Sequence, residues 1–446
     1  MFWSLTVALV LAQRPPAVVS LPSARGYPLM VHGPLNATGL ITRIRDAADV
    51  SWEAEILDAG WPPPPPDTGG PDERFDLYVD PSMSFPEAYV TSDTGVPSTS
   101  WYDQTSYMVL PGDFPNDAAL FSTVAHELNH ASQYALDAAE DDAFFEHTAV
   151  LVEKDVARDF ATWGVGIADF QGHPERALTY IGTDWYEYGA GMWLMFLSER
   201  FDGGGYGLVQ RLWRDSQQPG ASNHPHFLDA LDGILAERGW TRRRFFSTFS
   251  AWRYFTGPRD DGRHFEGSAG WGASSLIAVT RVSVGASPQA LTGSLAGYGT
   301  RLFVLELPAG AAALVGTTDG AETGLALIPL GASGEALSDG VATEGEDLTL
   351  RLGLPTGTAQ VLAALTRTPA AYDPSMAPLS ARQVSASVSA EVVLPDGGIV
   401  DGGVAPPPAD GGVEPLEPPM GCGCDGGGGA GWVGLALVLA ARRRRR

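Results

Sequence analysis

His126, Glu127 and His130 stand in the stretch His126-Glu127-Leu128-Asn129-His130, an H-E-x-x-H spacing that can carry out hydrolysis if it is helical. One turn of helix separates the two histidines, so both imidazoles leave the same face and can bind one zinc ion. Glu127 then stands beside the water that the ion activates, as its proton acceptor. The flanks predict the helix. Asn116 or Asp117 can cap it after Pro115, and Leu120, Val124, Leu128, Ala131 and Ala135 recur at steps of 4, 4, 3 and 4, a stripe of period near 3.6. At about 100° per residue, His126 and His130 fall on the side away from that stripe. The core takes one face and leaves the other for metal.

A third ligand must come from elsewhere in the chain. Glu140-Asp141-Asp142 suits a helix N-terminus, and the segment Phe144 to Glu153 follows it. Phe145, Ala149, Val152 and Val156 make the expected buried stripe of this second helix, while Glu146 and Glu153, seven apart, share a different face. One of the two can ligate and the other support. A metzincin needs a glycine and a third histidine soon after His130, and Ala131-Ser132-Gln133-Tyr134-Ala135 supplies neither. His147 is the competing ligand.

The run Glu146-His147-Thr148-Ala149-Val150-Leu151-Val152-Glu153 resembles the E-G-x-A-x-x-x-E segment of gluzincin metallopeptidases, which implies that Glu146 is the third zinc ligand. Tyr186-Glu187-Tyr188-Gly189-Ala190-Gly191-Met192-Trp193-Leu194-Met195-Phe196-Leu197 resembles the helix that carries their transition-state tyrosine. Two registers fit. An aminopeptidase-like Y-E-K-G-A match selects Tyr186; the Y-G pattern of hyicolysin-like peptidases selects Tyr188, which we prefer. The region from Leu21 to Gly257 also resembles secreted metallopeptidases known chiefly from myxobacteria. Ser51-Trp52-Glu53, Gly60-Trp61, Phe75 to Val79, Ala125 to Gln133 and Ala251 to Gly257 carry that likeness, in order.

The termini suggest where the protein works. Residues 1–12 read MFWSLTVALVLA, a short apolar run with a small-residue end that fits a secretory signal peptide. At the other end Cys422 and Cys424, an apolar segment from Gly431 to Ala441 and five arginines to Arg446 are too short an assembly for the ~20 residues of a spanning helix. Residues 421–446 resemble the myxobacterial C-terminal sorting signal (MYXO-CTERM), which implies attachment to the cell surface or outer membrane. Cys422 and Cys424 are the sole cysteines, so the body has neither disulfides nor a cysteine-based metal site. A formal net charge of −25 repels phosphate backbones and argues against nucleic acid as a partner. No obligate protein partner is evident.

The elements that must position these residues follow from composition and periodicity. Leu40 to Leu57 reads as a helix ended by Trp61-Pro62-Pro63-Pro64-Pro65-Pro66, and Phe75 to Val79 and Ser106 to Leu110 read as strands. Helices continue over Gly207 to Asp215 and Phe227 to Phe255, the latter broken near Gly239. From Ser275 to about Leu394, short apolar runs such as Arg301 to Leu307, Leu348 to Leu352 and Val361 to Leu365 alternate with turn residues, as in an antiparallel sandwich. The expectation is an α+β chain. A zincin-like catalytic domain with a mostly helical C-terminal half spans 21–262, an antiparallel β-sandwich spans 275–394, and a Gly/Pro/Asp-rich linker, 395–420, leads to the tail.

The expected activity is that of a secreted or surface-attached zinc peptidase acting on a polypeptide substrate, with Glu127 as general base and Tyr188 steadying the oxyanion. The aminopeptidase signature G-x-M-E-N is absent upstream of His126, which favours endopeptidase action. The alternatives are a catalytically inactive zincin-fold adhesion protein and a zinc hydrolase acting on non-peptide bonds. The general base Glu127 argues against the first, since a metal-binding relic has no need of it.

Overall fold

A computed structural model describes residues 14–67, 69–96, 99–157, 160–369, 380–393 and 399–400. The expected signal peptide, most of the linker and the sorting segment lie outside the described residues. Those from Pro15 onward fall within one compact unit, a mixed α and β structure.

Its N-terminal part is a five-stranded sheet. Strands β1 (Val19–Pro22), β2 (Leu29–Gly33), β3 (Phe75–Asp80), β4 (Tyr89–Gly95) and β5 (Gln104–Pro111) lie in the order β1-β2-β3-β5-β4. The central three are parallel, and the edges β1 and β4 are antiparallel to their neighbours. Parallel neighbours need a crossover; between β2 and β3 it is helix α1 (Thr38–Trp52), whose last turn widens into a π-helix, Glu53–Asp58. Helix α2 (Asp117–Tyr134) follows β5, capped by the Asn116 side chain, which accepts the Ala119 N–H at 2.8 Å. Leu29 and Val31, Leu77 and Val79, and Met108 and Leu110 alternate along their strands. They meet Ile41, Ile44, Leu120, Val124 and Leu128 of the two helices in one core. The apolar stripe predicted for α2 is therefore its sheet-facing side.

Strands β1, β2 and β4 are not among the expected elements, although β2 opens on the apolar run Leu29-Met30-Val31 and is buried along its length. β4 reads Tyr-Val-Thr-Ser-Asp-Thr-Gly, with Val90 in the core and the residues after it polar, because an edge strand is held by backbone pairing more than by a buried face.

Among the described residues seven α-helices follow: α3 (Asp142–Ala157), α4 (Phe160–Gly172), α5 (Tyr186–Ala190), α6 (Met192–Phe201), α7 (Gly207–Asp215), α8 (Phe227–Ala236) and α9 (Arg242–Trp252). The single buried stripe expected on α3 does not describe it. Ala143 to Phe145 and His147 to Glu153 are all buried, because α2 lies along one side and α5 and α6 along another. Phe144 stacks on Trp213 and Phe227 within the same core. Gly189 permits a close crossing. A Cβ there would stand 1.9 Å from the Gly166 carbonyl oxygen, so any side chain would push α5 off α4. Gly191, itself in a helical conformation, is the single residue between α5 and α6.

The C-terminal part is two sheets around a shared core. β6 (Val279–Ser283), β7 (Gln289–Leu295), β8 (Thr300–Glu306), β9 (Ala311–Thr318), β10 (Thr323–Leu330), β11 (Val341–Ala342), β12 (Thr349–Gly353), β13 (Gln360–Arg367), β14 (Arg382–Val393) and β15 (Ile399–Val400) form the orders β11-β10-β13-β8-β6 and β12-β9-β14-β15, with β7 on β14. Two features depart from the expected all-antiparallel sandwich. β6 runs parallel to β8, and β15 extends pairing onto β14 within the stretch expected to be linker.

The two parts are joined through α9. β10 is buried along its whole length, as is β13 past its first residue. Leu325, Leu327, Ala363 and Leu365 face the inter-sheet core, while Ala326, Ile328, Leu362 and Ala364 meet Ala251 and Phe255 at the end of α9. That double burial explains why these strands read as unbroken apolar runs. Arg243 on α9 fastens the contact, donating to the Thr323 carbonyl and the Thr318 hydroxyl, and to the carbonyls of Gly345 and Asp347.

Candidate metal centre

Helices α2 and α3 pack side by side, and His126, His130 and Glu146 meet between them. His126 Nε2 lies 3.1 Å from His130 Nε2 and 3.0 Å from Glu146 Oε2, and His130 Nε2 lies 3.7 Å from the same oxygen. Donor atoms around a tetrahedral zinc, with bonds of ~2.0–2.1 Å, stand roughly 3.3 Å apart. The three separations bracket that value, and these residues group as a possible metal site. Both histidines are buried, because the face left for metal lies under α3 and the start of α5.

The far side of each imidazole is occupied. His126 Nδ1 meets Glu153 Oε2 at 3.0 Å, and the other Glu153 oxygen accepts the Ser122 hydroxyl. His130 Nδ1 meets Gln133 Oε1 at 2.8 Å. With Nδ1–H donated backwards, each Nε2 keeps its lone pair for the centre of the cluster. Burial works against a charged His126, but hydrogen bonds to Glu146 and Glu153 outweigh it and hold its pKa well above the usual value. Burial would also raise Glu146, yet the two histidines hold it below the usual carboxylate range. His130 is pushed down to about 4 by burial. The cluster thus stabilises one positive charge at its centre, which a proton or a metal ion can supply.

Glu127 points differently from its neighbours. It accepts the Val90 backbone N–H from the edge strand β4, and burial pushes it up to about 8. Its Oε2 has no hydrogen-bond partner, so one oxygen is held by the edge strand and the other is free to take a proton.

Tyr188 and Tyr186 part company. The Tyr188 ring sits 5.7 Å from that of His126, and the charge of Glu146, with burial, raises its hydroxyl well above the usual pKa. It is therefore a hydrogen-bond donor at neutral pH. Tyr186 turns the other way, against Phe170 and Tyr180, and its hydroxyl donates to the Arg176 carbonyl at 3.3 Å. His147, the competing ligand, also faces away: its Nδ1 accepts Trp193 Nε1–H at 3.0 Å, and burial drops it to about 3.

Sequence reasoning did not find Ser122, Gln133, Asn129, Glu55 or Val90. Asn129 and Gln133 could have been noticed as polar residues one turn apart on a helix dense in apolar ones. Glu55 and Val90 come from distant segments and leave no local signal.

No family model matches the chain, and no curated protein matches it. Among solved structures, Aeromonas hydrophila PliG, a periplasmic lysozyme inhibitor of g-type lysozyme, is 22% identical over 25% of this chain and 97% of its own, with a TM-score of 0.19. The pre-peptidase C-terminal domain of a collagenase from Bacillus anthracis is 11% identical over 26% of this chain and 95% of its own, with a TM-score of 0.17. At these TM-scores neither defines the fold of this chain.

Proposed function

We propose that the protein is a zinc-dependent peptidase with a zincin-like catalytic region, exported and held at the cell surface through its C-terminal tail. The observation that carries the reading is the convergence of His126 Nε2, His130 Nε2 and Glu146 Oε2, each histidine backed by a proton acceptor, with Glu127 and Tyr188 beside them. Zinc bound there supplies a Lewis acid that polarises a carbonyl and acidifies water. Glu127, its free oxygen buried and basic, receives the water's proton and passes it to the leaving amine. Tyr188 donates its hydroxyl toward the developing oxyanion.

The edge strand supports a polypeptide substrate. Among the described residues β4 has a strand neighbour on one side only, so its outer edge can pair with an extended peptide, and Val90 on the same strand holds the base. The absence of G-x-M-E-N leaves no dedicated capture of a free amino group and favours internal cleavage.

The test is a peptide library incubated with the purified zinc-loaded protein and read by mass spectrometry. Internal cleavage that a chelator abolishes and added zinc restores is the expected result. Zinc-loaded protein that cleaves no peptide overturns the peptidase reading. In the same assay Tyr188→Phe is expected to lower kcat by about 10²-fold or more, the scale of one oxyanion donor, with KM nearly unchanged. Tyr186→Phe is expected to leave kcat within a few-fold.

A further inference from the structure

Behind His130 runs a chain of buried side chains that the peptidase reading does not use. Gln133 Nε2 donates to Asn129 Oδ1 at 2.8 Å and to the Phe145 carbonyl at 3.0 Å. Asn129 Nδ2 donates in turn to Glu55 Oε2 at 3.4 Å. Asn129, Gln133 and Glu55 are all completely buried, so bulk water reaches none of these groups.

This arrangement removes an ambiguity that amide and imidazole groups normally carry. The two Gln133 amide protons both have acceptors, so the NH2 group cannot be exchanged with the oxygen without placing oxygen against the Phe145 carbonyl. Oε1 must therefore face His130 Nδ1, 2.8 Å away, and an amide oxygen can only accept. Asn129 is fixed in the same sense because its Oδ1 must accept the Gln133 N–H, which turns its NH2 toward the Glu55 carboxyl. Every bond from His130 to Glu55 points the same way, a geometry in which each polarises the next.

We infer that Gln133 is a positioning residue that fixes His130 as the Nδ1–H tautomer and, through the Phe145 carbonyl, ties the helix bearing both histidines to the residue preceding Glu146. Asn129 and the Phe145 carbonyl fix Gln133, and Glu55 accepts from Asn129 behind it. The π-helical turn after Trp52 contributes by carrying Glu55 inward under α2; such turns recur at functional sites. One amide thus sets the ligand nitrogen of His130 and the register of the two ligand-bearing helices. The inference rests on the metal-site reading above.

The experiment uses the full chain and two readouts besides activity: nitrogen NMR of the metal-free protein, which reports the His130 tautomer, and zinc affinity by chelator competition. The wild type is expected to show Nδ1–H at His130. Gln133→Met removes the acceptor and both donors at similar length, and is expected to mix the tautomers and weaken zinc by about 10–100-fold, the range for partners of metal-ligating histidines. Gln133→Glu restores the acceptor, so it is expected to recover the tautomer and bring affinity back toward wild type even though its stability falls. A purely structural role predicts the reverse: both variants lose stability and neither changes the tautomer. Nδ1–H absent at His130 in the wild type overturns the inference without any variant, as does unchanged zinc affinity in folded Gln133→Met. Wild-type protein that shows the expected tautomer but binds no zinc sinks the metal reading and leaves the Gln133–His130 assignment standing.

Discussion

Glu127→Gln is expected to cut kcat by about 10²–10⁴-fold, the range of general-base contributions, while zinc content and thermal stability stay at the wild-type level. The substitution is matched to its surroundings. Glu127 accepts the Val90 N–H, and the amide oxygen of glutamine can accept it equally. The other carboxylate oxygen has no partner, so the NH2 that replaces it breaks no hydrogen bond and removes only the basic site. None of the three atoms that converge at the candidate metal centre belongs to Glu127. Metal analysis of the variant beside steady-state kinetics on any peptide found to be cleaved separates the two roles. A variant that loses its zinc shows Glu127 to be a ligand, and a variant that keeps more than about a tenth of the activity shows the base to be elsewhere, since even the weakest such bases give about 10²-fold. The experiment also speaks to the adhesion alternative, because a binding protein that keeps the zinc has no property that Glu127→Gln should change.

How much of this was legible in the sequence depended on whether the responsible force was local. The helix bearing His126 and His130 could be read because its cap Asn116 and its stripe Leu120, Val124 and Leu128 lie within one short stretch of chain. β4 could not. It is polar past Val90, it is an edge, and it owes its conformation to pairing with β5, yet it supplies the Val90 N–H beside the base. What lies over the histidine face is α3 and the start of α5, tertiary contacts that periodicity does not encode. Both registers, Tyr186 and the preferred Tyr188, fit their neighbours in the sequence. The choice between them comes from the helix start, where one ring turns to Phe170 and the other to His126. The backing residues divide the same way. Glu153 could be read as a supporting carboxylate because it shares a helix with Glu146, whereas Glu55 reaches the site from a segment 74 positions away from Asn129.

Glu146→Ala is expected to lose zinc altogether at chelator concentrations that leave the wild type loaded, and Glu153→Ala is expected to retain it with affinity lowered by about 10–100-fold. Both carboxylates touch His126, from opposite sides. Glu146 Oε2 faces the two Nε2 atoms at 3.0 and 3.7 Å, where it can share a metal with them, so its removal leaves two neutral ligands and takes away the negative charge that balances the cation. Glu153 Oε2 faces Nδ1 at 3.0 Å, the nitrogen turned away from the centre, and can act only by holding the ring and its proton in place. Its removal leaves the ligand set complete but frees the imidazole to turn, and strands the Ser122 hydroxyl that Glu153 accepts. A loss of stability in Glu153→Ala is therefore expected alongside the affinity loss, since Glu153 is buried and its partners are left without an acceptor. Glu146 is partly exposed, so Glu146→Gln should fold like the wild type and still bind zinc poorly, which distinguishes a lost ligand from a lost fold. If Glu153→Ala empties the site while Glu146→Ala stays loaded, the metal lies on the other side of His126 and the assignment of ligand and support on α3 must be exchanged.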